Sequence, residues 1–267
     1  MSEAGSWRTT WWRGVPRRVC AAWGAGRRQA WDLLLPPGCA ACGADLPTDA
    51  EPSGLCGPCR GSFLNFRGPV CGRCSNELPA SFSSDQSSCH HCQHERLHFS
   101  QALALGAYRD RPRVAVLQLK HAGAYPLAAA LGRLMADRFA DPLAKFAPQV
   151  VTAIPLHWLR RLRRGTNGPA TMAAYLARQE KIEFVDHLLC RSRRTPRQAD
   201  LPPGRRHQNV RGAFRASRRY DLTGARVVLV DDVLTSGATC SEAAQALIRG
   251  GAAAVLVMVL ARAASWK

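Results

Sequence analysis

Acidic side chains are scarce in this 267-residue chain: 19 Asp plus Glu stand against 37 Lys plus Arg, a formal net charge of +18 at pH 7. Such a surface suits polyanions or phosphorylated ligands, although charge alone does not choose between them. Long apolar runs are also missing. No stretch of roughly 18 apolar residues occurs, so a transmembrane segment is excluded by length. The opening "MSEAGSWRTTWWRGVPRRVCAAWGAGRRQAW" has neither the apolar core nor the cleavage site of a secretory signal. A cytoplasmic location is therefore expected. There is no P-loop ending of the GKS or GKT type and no GxGxxG fingerprint, which removes two common nucleotide-binding devices. The composition, 46% apolar and 21% charged, is that of a globular protein rather than a disordered or fibrous one.

Cysteine, by contrast, is abundant, with 11 residues. Eight of them form the pairs Cys39/Cys42, Cys56/Cys59, Cys71/Cys74 and Cys89/Cys92, separated by gaps of 13, 11 and 14 residues. In a cytosolic chain such pairs read as metal ligands rather than disulfides. Two residues between thiols let both face one tetrahedral ion, and two such knuckles complete a closed structural site, typically for zinc. Near-equal first and last gaps suggest sequential pairing into two Zn2+ sites, while a crossed pairing, first with third and second with fourth, satisfies the same spacing. Iron–sulfur binding and disulfides are the minor alternatives. All eight positions are thiols, which leaves no open position for a catalytic metal. His90, His91, His94 and His98 crowd the last knuckle as substitute ligands or, more simply, as surface residues. Cys20, Cys190 and Cys240 have no partner at ligand spacing, and Cys240 reads as a small apolar residue packed on a sheet.

Along the chain, residues 1–34 form a basic Trp/Arg-rich leader, with "AWDLLL" as a short helix ending before Pro36. Residues 35–98 form the double knuckle module, in which "PASFSSDQSSC" is a loop and too few large apolar residues exist for a separate core. Metal is expected to hold this module. Serine at Cys39 or Cys71 should then disorder it while the remainder keeps its secondary structure. Residues 99–267 change character. "ALALGAYRD" reads as a strand, "RVAVLQLK" as a short helix, and the run from Tyr125 to Phe146 carries helical spacing. "QVVTAIPL" is a buried strand, residues 170–181 a helix and "VRGAFRA" a short strand. The strongest unit is a strand over 225–233, a helix over 238–251 and a strand over 253–262. Helices between continuously apolar strands describe an α/β domain with a parallel sheet.

The most informative stretch is "VVLVDDVLTSGAT", Val227 to Thr239. Asp231 and Asp232 stand at the C-terminal end of an apolar strand, where ligands bind in open α/β sheets. Two buried like charges there call for hydroxyls, a cation or Mg2+. Thr235, Ser236, Gly237, Ala238 and Thr239 then supply hydroxyls and amides at a helix start, a cup for phosphate. The spacing from carboxylates to cup is about that from a ribose diol to its 5′-phosphate. An ordinary capped helix would need one Thr or Ser, not the acid pair and the whole run.

This block resembles the signature of type I phosphoribosyltransferases. The resemblance implies that Asp231 and Asp232 hold the ribose hydroxyls of phosphoribosyl pyrophosphate and that residues 235–239 hold its 5′-phosphate. "LLLPPGCAACG", the four knuckles, "LQLKHAG", "AIPLHWLRRLRRGTN", "RRTPRQADLPPGRRHQNVRGAF" and the signature recur in this order in the ComF family of competence-associated proteins, so that residues 33–262 resemble it throughout. Membership implies an N-terminal zinc module, a C-terminal phosphoribosyltransferase-like domain, a role in DNA uptake, and a helicase-like competence protein as partner. Two departures stand out. Where the family commonly reads Arg-Gly-Phe-Asn-Gln-Ala, this chain has Arg164, Gly165, Thr166, Asn167, Gly168 and Pro169, losing an aromatic and an amide. Where it favours Lys-Tyr, Lys120 is followed by His121.

Sixteen Lys or Arg against four acids lie between His157 and Arg219, two thirds of the excess charge. The resemblance makes Pro155, Leu156 and His157 the pyrophosphate loop; Lys120, Arg160 and Arg164 are expected as leaving-group contacts, with Mg2+ accompanying the substrate. Arg193, Arg194, Arg197, Arg205 and Arg206 among prolines read either as a lid over pyrophosphate or as a surface for single-stranded DNA. Two functions follow: a phosphoribosyltransferase-like protein binding phosphoribosyl pyrophosphate or a related sugar phosphate, or a non-catalytic DNA- or protein-binding adaptor of the transformation machinery.

Overall fold

The computed structural model describes residues 38–46, 54–79, 89–156, 167–193, 195, 202 and 205–264. The leader, "AWDLLL", most of the 79–89 loop, Cys20, His157, Arg160, Arg164, Arg194 and Arg197 lie outside them.

The two knuckle pairs build two similar ribbons. In each, a bridge closes over the first knuckle, Gly38 to Asp45 and Val70 to Glu77, and the second knuckle opens a short helix. These are α1 (Gly57–Phe63), with Cys56 at its N-cap, and α2 (His90–His94), with Cys89 there. Both helices went unread in the sequence, because a five- to seven-residue helix has too few turns to show a period.

The remainder follows the α/β expectation. Strand β1 (Gln101–Ala107) leads into α3 (Asp110–Gln118), α4 (Tyr125–Arg138) and α5 (Ala140–Phe146). The single helix expected from Tyr125 to Phe146 divides at Phe139, whose backbone leaves the helical region at φ −117° and ψ 23°. Pro142 supplies the reason. It cannot donate within a helix interior but is tolerated in a first turn, so the chain starts a new helix just before it. Then come β2 (Val150–Ala153), α6 (Gly168–Glu180), β3 (Glu183–Phe184), β4 (Leu189–Arg191), α7 (Arg206–Val210), β5 (Phe214–Ala216), β6 (Arg226–Leu234), α8 (Ala238–Arg249) and β7 (Ala254–Arg262). The strand expected over 210–216 is confined to β5, because its first residue closes α7, and it pairs antiparallel with β4 in a separate two-stranded sheet.

The main sheet has the order β1-β7-β6-β2-β3, and all its pairs are parallel. Its faces follow the period-two rule. Leu103, Val151, Val228, Val230, Leu256 and Met258 face one apolar core with α4 and α6, while Ala104, Val150, Val227, Leu229, Val255 and Val257 face another with α8. The ribbons divide between these cores. Leu55, Cys59 and Phe63 of the first ribbon join the α4/α6 side, whereas Cys71, Cys74, Cys89, Cys92, Leu97 and Phe99 join the α8 side.

Between them, the ribbons also close the free edge of β1. Ala102 N donates to Arg73 O at 2.8 Å and Ala107 N to Asn65 Oδ1 at 2.7 Å. Gly106 is required there, since a Cβ would sit 2.2 Å from Phe63 O. Covering an edge in this way removes a template for aggregation.

Candidate functional site

From β2 the chain winds through α6 to β3 on one side; from β6 it winds through α8 to β7 on the other. Adjacent strands β2 and β6 are therefore where the winding reverses, and ligands of open α/β sheets bind beyond the carboxyl ends of strands at such a point. Asp231 and Asp232 lie near the end of β6, and Pro155 and Leu156 follow β2, both half-buried.

Consecutive strand residues face opposite sides, and the two acids divide accordingly. Asp231 is buried at 9% exposure, and its Oδ2 accepts from the Cys240 thiol of α8 at 3.7 Å. Its Oδ1 accepts the Asp232 amide at 2.9 Å. Burial and then the Asp232 charge push the Asp231 carboxyl well above the usual carboxylate range. Burial also raises Asp232, while the hydrogen bond with Asp231 and the charge of Lys120, in the turn after α3, draw part of that rise back. Burial and the acids raise the Cys240 thiol too, which keeps it a protonated donor. Cys240 thus packs on the sheet as its position in the sequence suggests, with a polar contact in addition.

Thr235, Ser236 and Gly237 connect β6 to α8. Gly237 takes the left-handed conformation at φ 78°, which an L-residue with a Cβ rarely adopts. The first bond of the helix ladder runs from Ser241 N to Gly237 O at 2.7 Å. The preceding amides of this twelve-residue helix point out of its N-terminus, where the dipole favours an anion.

Six residues beside this loop are not read as phosphate-site residues from the sequence: Arg262, His91, Ser241, His98, Arg96 and Gln245. Arg262, 2% exposed, donates from Nη1 to Leu234 O at 3.0 Å and Thr235 O at 2.6 Å. His91 lies beside the Ser236 backbone, which acts on its imidazole. Ser241 Oγ accepts from His98 N at 3.1 Å and donates to Arg96 O at 3.2 Å, and Gln245 Nε2 lies 2.9 Å from His98 Nε2. His91 and His98 are noted in the sequence only for their place in and beside the last knuckle, and the others belong to no recognisable motif. For Arg262 the one local signal is a basic residue ending an otherwise apolar strand.

The cysteines resolve the pairing. The sulfurs of Cys39, Cys42, Cys56 and Cys59 lie within 4.8 Å of one another, as do those of Cys71, Cys74, Cys89 and Cys92. The arrangement is sequential, not crossed, and the described cysteines are free thiols. No described histidine joins either cluster. Cys42 and Cys56 sulfurs are 3.8 Å apart and those of Cys74 and Cys89 are 3.6 Å apart. Metal–sulfur bonds of about 2.3 Å require a tetrahedral edge of about 3.8 Å, so the donor set fits an ion. Amides of Cys56 and Cys89 donate to the Cys39 and Cys71 sulfurs at 3.3 and 3.4 Å. Burial raises the Cys39 thiol, but amides of Cys56, Ala41 and Cys42 outweigh it and bring the group down to about 6. In the second cluster, bonds from Cys74 and Cys92 lower Cys71 while Cys92 is pushed far up by the same contacts. Four thiols so crowded share few negative charges unless a cation joins them.

Taken together, switch point, loop and clusters define a phosphoribosyltransferase-like α/β domain carrying a pair of metal ribbons. Residues 122–267 match the family described as phosphoribosyl transferase domain, and residues 30–93 match the double zinc ribbon domain. The chain is 28% identical to Competence protein F of Haemophilus influenzae, over 79% of this chain and 91% of that one. It is 30% identical to the DNA utilization protein YhgH of Salmonella typhimurium, over 86% and 99%. The chain belongs to the ComF family of competence proteins. Among solved structures it is similar to a glutamine phosphoribosylpyrophosphate amidotransferase from B. subtilis, at 25% identity and TM-score 0.37, covering 52% of this chain and 27% of that one.

Proposed function

We propose that this protein binds phosphoribosyl pyrophosphate with Mg2+ at the β6–α8 loop, as a phosphoribosyltransferase-like component of DNA uptake in the cytoplasm. The observation that carries the reading is the pair Asp231 and Asp232 held beside an anion-accepting helix start at the switch point of the sheet. Buried carboxyls with raised affinity for protons need partners when ionised, and the hydroxyls of a ribose diol donate to them. The amides and hydroxyls of residues 235–239 take the 5′-phosphate. Lys120, whose charge already acts on Asp232, is assigned to the pyrophosphate with Pro155 and Leu156, and the family resemblance adds His157, Arg160 and Arg164, which lie outside the described residues. Mg2+, when bound with the substrate, supplies charge neutralisation on the diphosphate. In transfer, the ribose C1–oxygen bond breaks as the acceptor's bond to C1 forms, and the electron pair leaves with pyrophosphate. The attacking atom belongs to the acceptor, so no side-chain nucleophile is required. The two cysteine clusters hold structural Zn2+.

A second reading is a non-catalytic adaptor that keeps the ligand site but acts through single-stranded DNA or a helicase-like competence protein. It is favoured by exposed Arg205, Arg211, Arg215, Arg218 and Arg219 and by the words "DNA utilization" in the names of its relatives.

Titration calorimetry of the full chain with phosphoribosyl pyrophosphate and Mg2+, repeated with single-stranded DNA, separates the two. Binding of the sugar phosphate that is lost in the Asp231→Asn/Asp232→Asn variant supports the first reading. Single-stranded DNA binding that this variant leaves unchanged, with or without sugar-phosphate binding, gives the second.

A further inference from the structure

Arg262 is the one arginine among the largest fully buried side chains. It ends β7, between β1 and β6, where its backbone pairs with Ala107 on one side and Leu234 on the other. Its guanidinium reaches two places at once. Nε donates to Cys74 O at 3.0 Å, and Nη2 lies 4.0 Å from the Cys74 sulfur. Nη1 donates to Leu234 O at 3.0 Å, to Thr235 O at 2.6 Å and to Ala263 O. A buried cation among carbonyls is costly unless a negative charge lies nearby. Four thiolates around one divalent ion carry a net charge of about −2, which supplies that countercharge beside Cys74.

Other members of the second ribbon and its exit segment contact the same loop. His91, one residue before Cys92, lies close enough to the Ser236 backbone to feel it electrostatically. Leu97 and Phe99 lie under Gly237, where a Cβ would meet Leu97 Cδ2 at 3.0 Å. Arg96 and His98 hold Ser241 in the first turn of α8. The first ribbon sits on the opposite core and makes none of these contacts among the described residues.

We infer that Arg262 is a positioning residue that ties the second cysteine cluster to the phosphate loop, so that metal in this cluster, and not in the first, sets the loop's geometry and its affinity for a sugar phosphate. The inference rests on the reading of the clusters as zinc sites and of the loop as a phosphate site. Coupling between two sites is reciprocal: whatever metal does for the ligand, the ligand does for the metal.

The test uses the full zinc-loaded chain. Zinc transfer to a chromogenic chelator is followed with and without saturating phosphoribosyl pyrophosphate and Mg2+, alongside calorimetry. In the wild type, ligand should slow release of one of the two zinc equivalents about tenfold and leave the other unchanged. Arg262→Lys, which keeps the charge but not the fork, should retain both zinc ions, lose that protection and bind the ligand about tenfold more weakly. Cys42→Ser, in the first cluster, should leave ligand affinity within about twofold. Measured binding with no effect on release of either ion overturns the coupling. Hydrogen exchange over residues 234–241 gives a readout independent of the ligand. Exchange should accelerate in Arg262→Lys and not in Cys42→Ser, and unchanged exchange in Arg262→Lys likewise overturns it. If the wild type shows no binding, the ligand reading fails, and the exchange comparison alone then decides whether Arg262 holds the loop.

Discussion

Two acids side by side on a strand would ordinarily repel, and here burial intensifies the conflict. Asp231 answers it with a thiol and an amide as donors, Asp232 with the field of Lys120. Both carboxyls have folded pKa values above their ordinary value of 3.8. Groups raised in this way lend stability that is fully present below that unfolded value and is lost as pH rises through the folded pKa. Replacement by Asn removes the loss. Asp231→Asn should therefore raise the thermal midpoint of the ligand-free protein at pH 7.5, by about 2–4 °C for each kcal/mol recovered, and the gain should vanish on acidification below about pH 4. A midpoint unchanged across that range would show that the pair is not strained when empty. Gly237 makes the complementary case. Its φ of 78° and the 3.0 Å approach of a Cβ to Leu97 mean that Gly237→Ala should destabilise by about 1–3 kcal/mol, read by denaturant unfolding. It should weaken phosphate binding even though Ala scarcely fills the cup, because the turn itself moves.

At the level of elements, β1 shows how the ribbons and the sheet depend on each other. An edge strand exposes unpaired amides, and the first ribbon's Asn65 and the second ribbon's Arg73 cover those of Ala107 and Ala102. Arg109 strengthens the joint through a bidentate pair with Glu77, at 2.6 and 2.7 Å, and a bond to Asn65 O at 2.7 Å. Arg109 holds the Glu77 carboxyl below its ordinary value. Gly106 is the closest point of approach. A Cβ there would lie 2.2 Å from Phe63 O, so Gly106→Ala should lever α1 away from β1. We expect the first cluster to release zinc faster in this variant while the second does not, measured by the same chelator assay. Equal release from both clusters would mean that the ribbons move as one body.

For the whole molecule, the sequence suggested a metal-held module beside an α/β domain with its own core. The structure joins them. Phe63, fully buried, and Leu55 pack with α4 and α6, while Leu97 and Phe99 pack with α8. Side chains of this size contribute about 1.5–3 kcal/mol each when buried. Cys39→Ser or chelation should therefore lower the thermal midpoint of the whole chain in a single transition, followed by far-UV circular dichroism. Retention of the wild-type midpoint would restore the picture of an independent module. Charge also acts at this scale. If the basic face engages single-stranded DNA, each phosphate contact adds about 0.7 to the log–log slope of affinity against salt. Arg218→Glu/Arg219→Glu should then flatten that slope with no change in melting. Arg193 is a poorer choice for such a test, because its Nη2 holds Asn209 O and Arg211 O, both at 2.9 Å.

The sequence by itself determined whatever is written in local pattern. Apolar runs marked β6 and β7, the Asp-Asp pair followed by Thr235 to Thr239 marked the end of a strand and the start of a helix, and CxxC spacing marked eight sulfurs in pairs. Each is a property of neighbours within a few residues, where period and spacing are fixed by backbone geometry. Tertiary structure decided the rest. It made the cluster pairing sequential, set the ribbons against opposite cores of one sheet, and brought Arg262 from one end of the domain to Cys74, 188 residues earlier in the chain. It also turned Asp231 and Asp232 to different partners. These outcomes depend on contacts between distant segments, and a guanidinium ending an apolar strand shows its purpose only when the carbonyls and sulfur it must satisfy are folded around it.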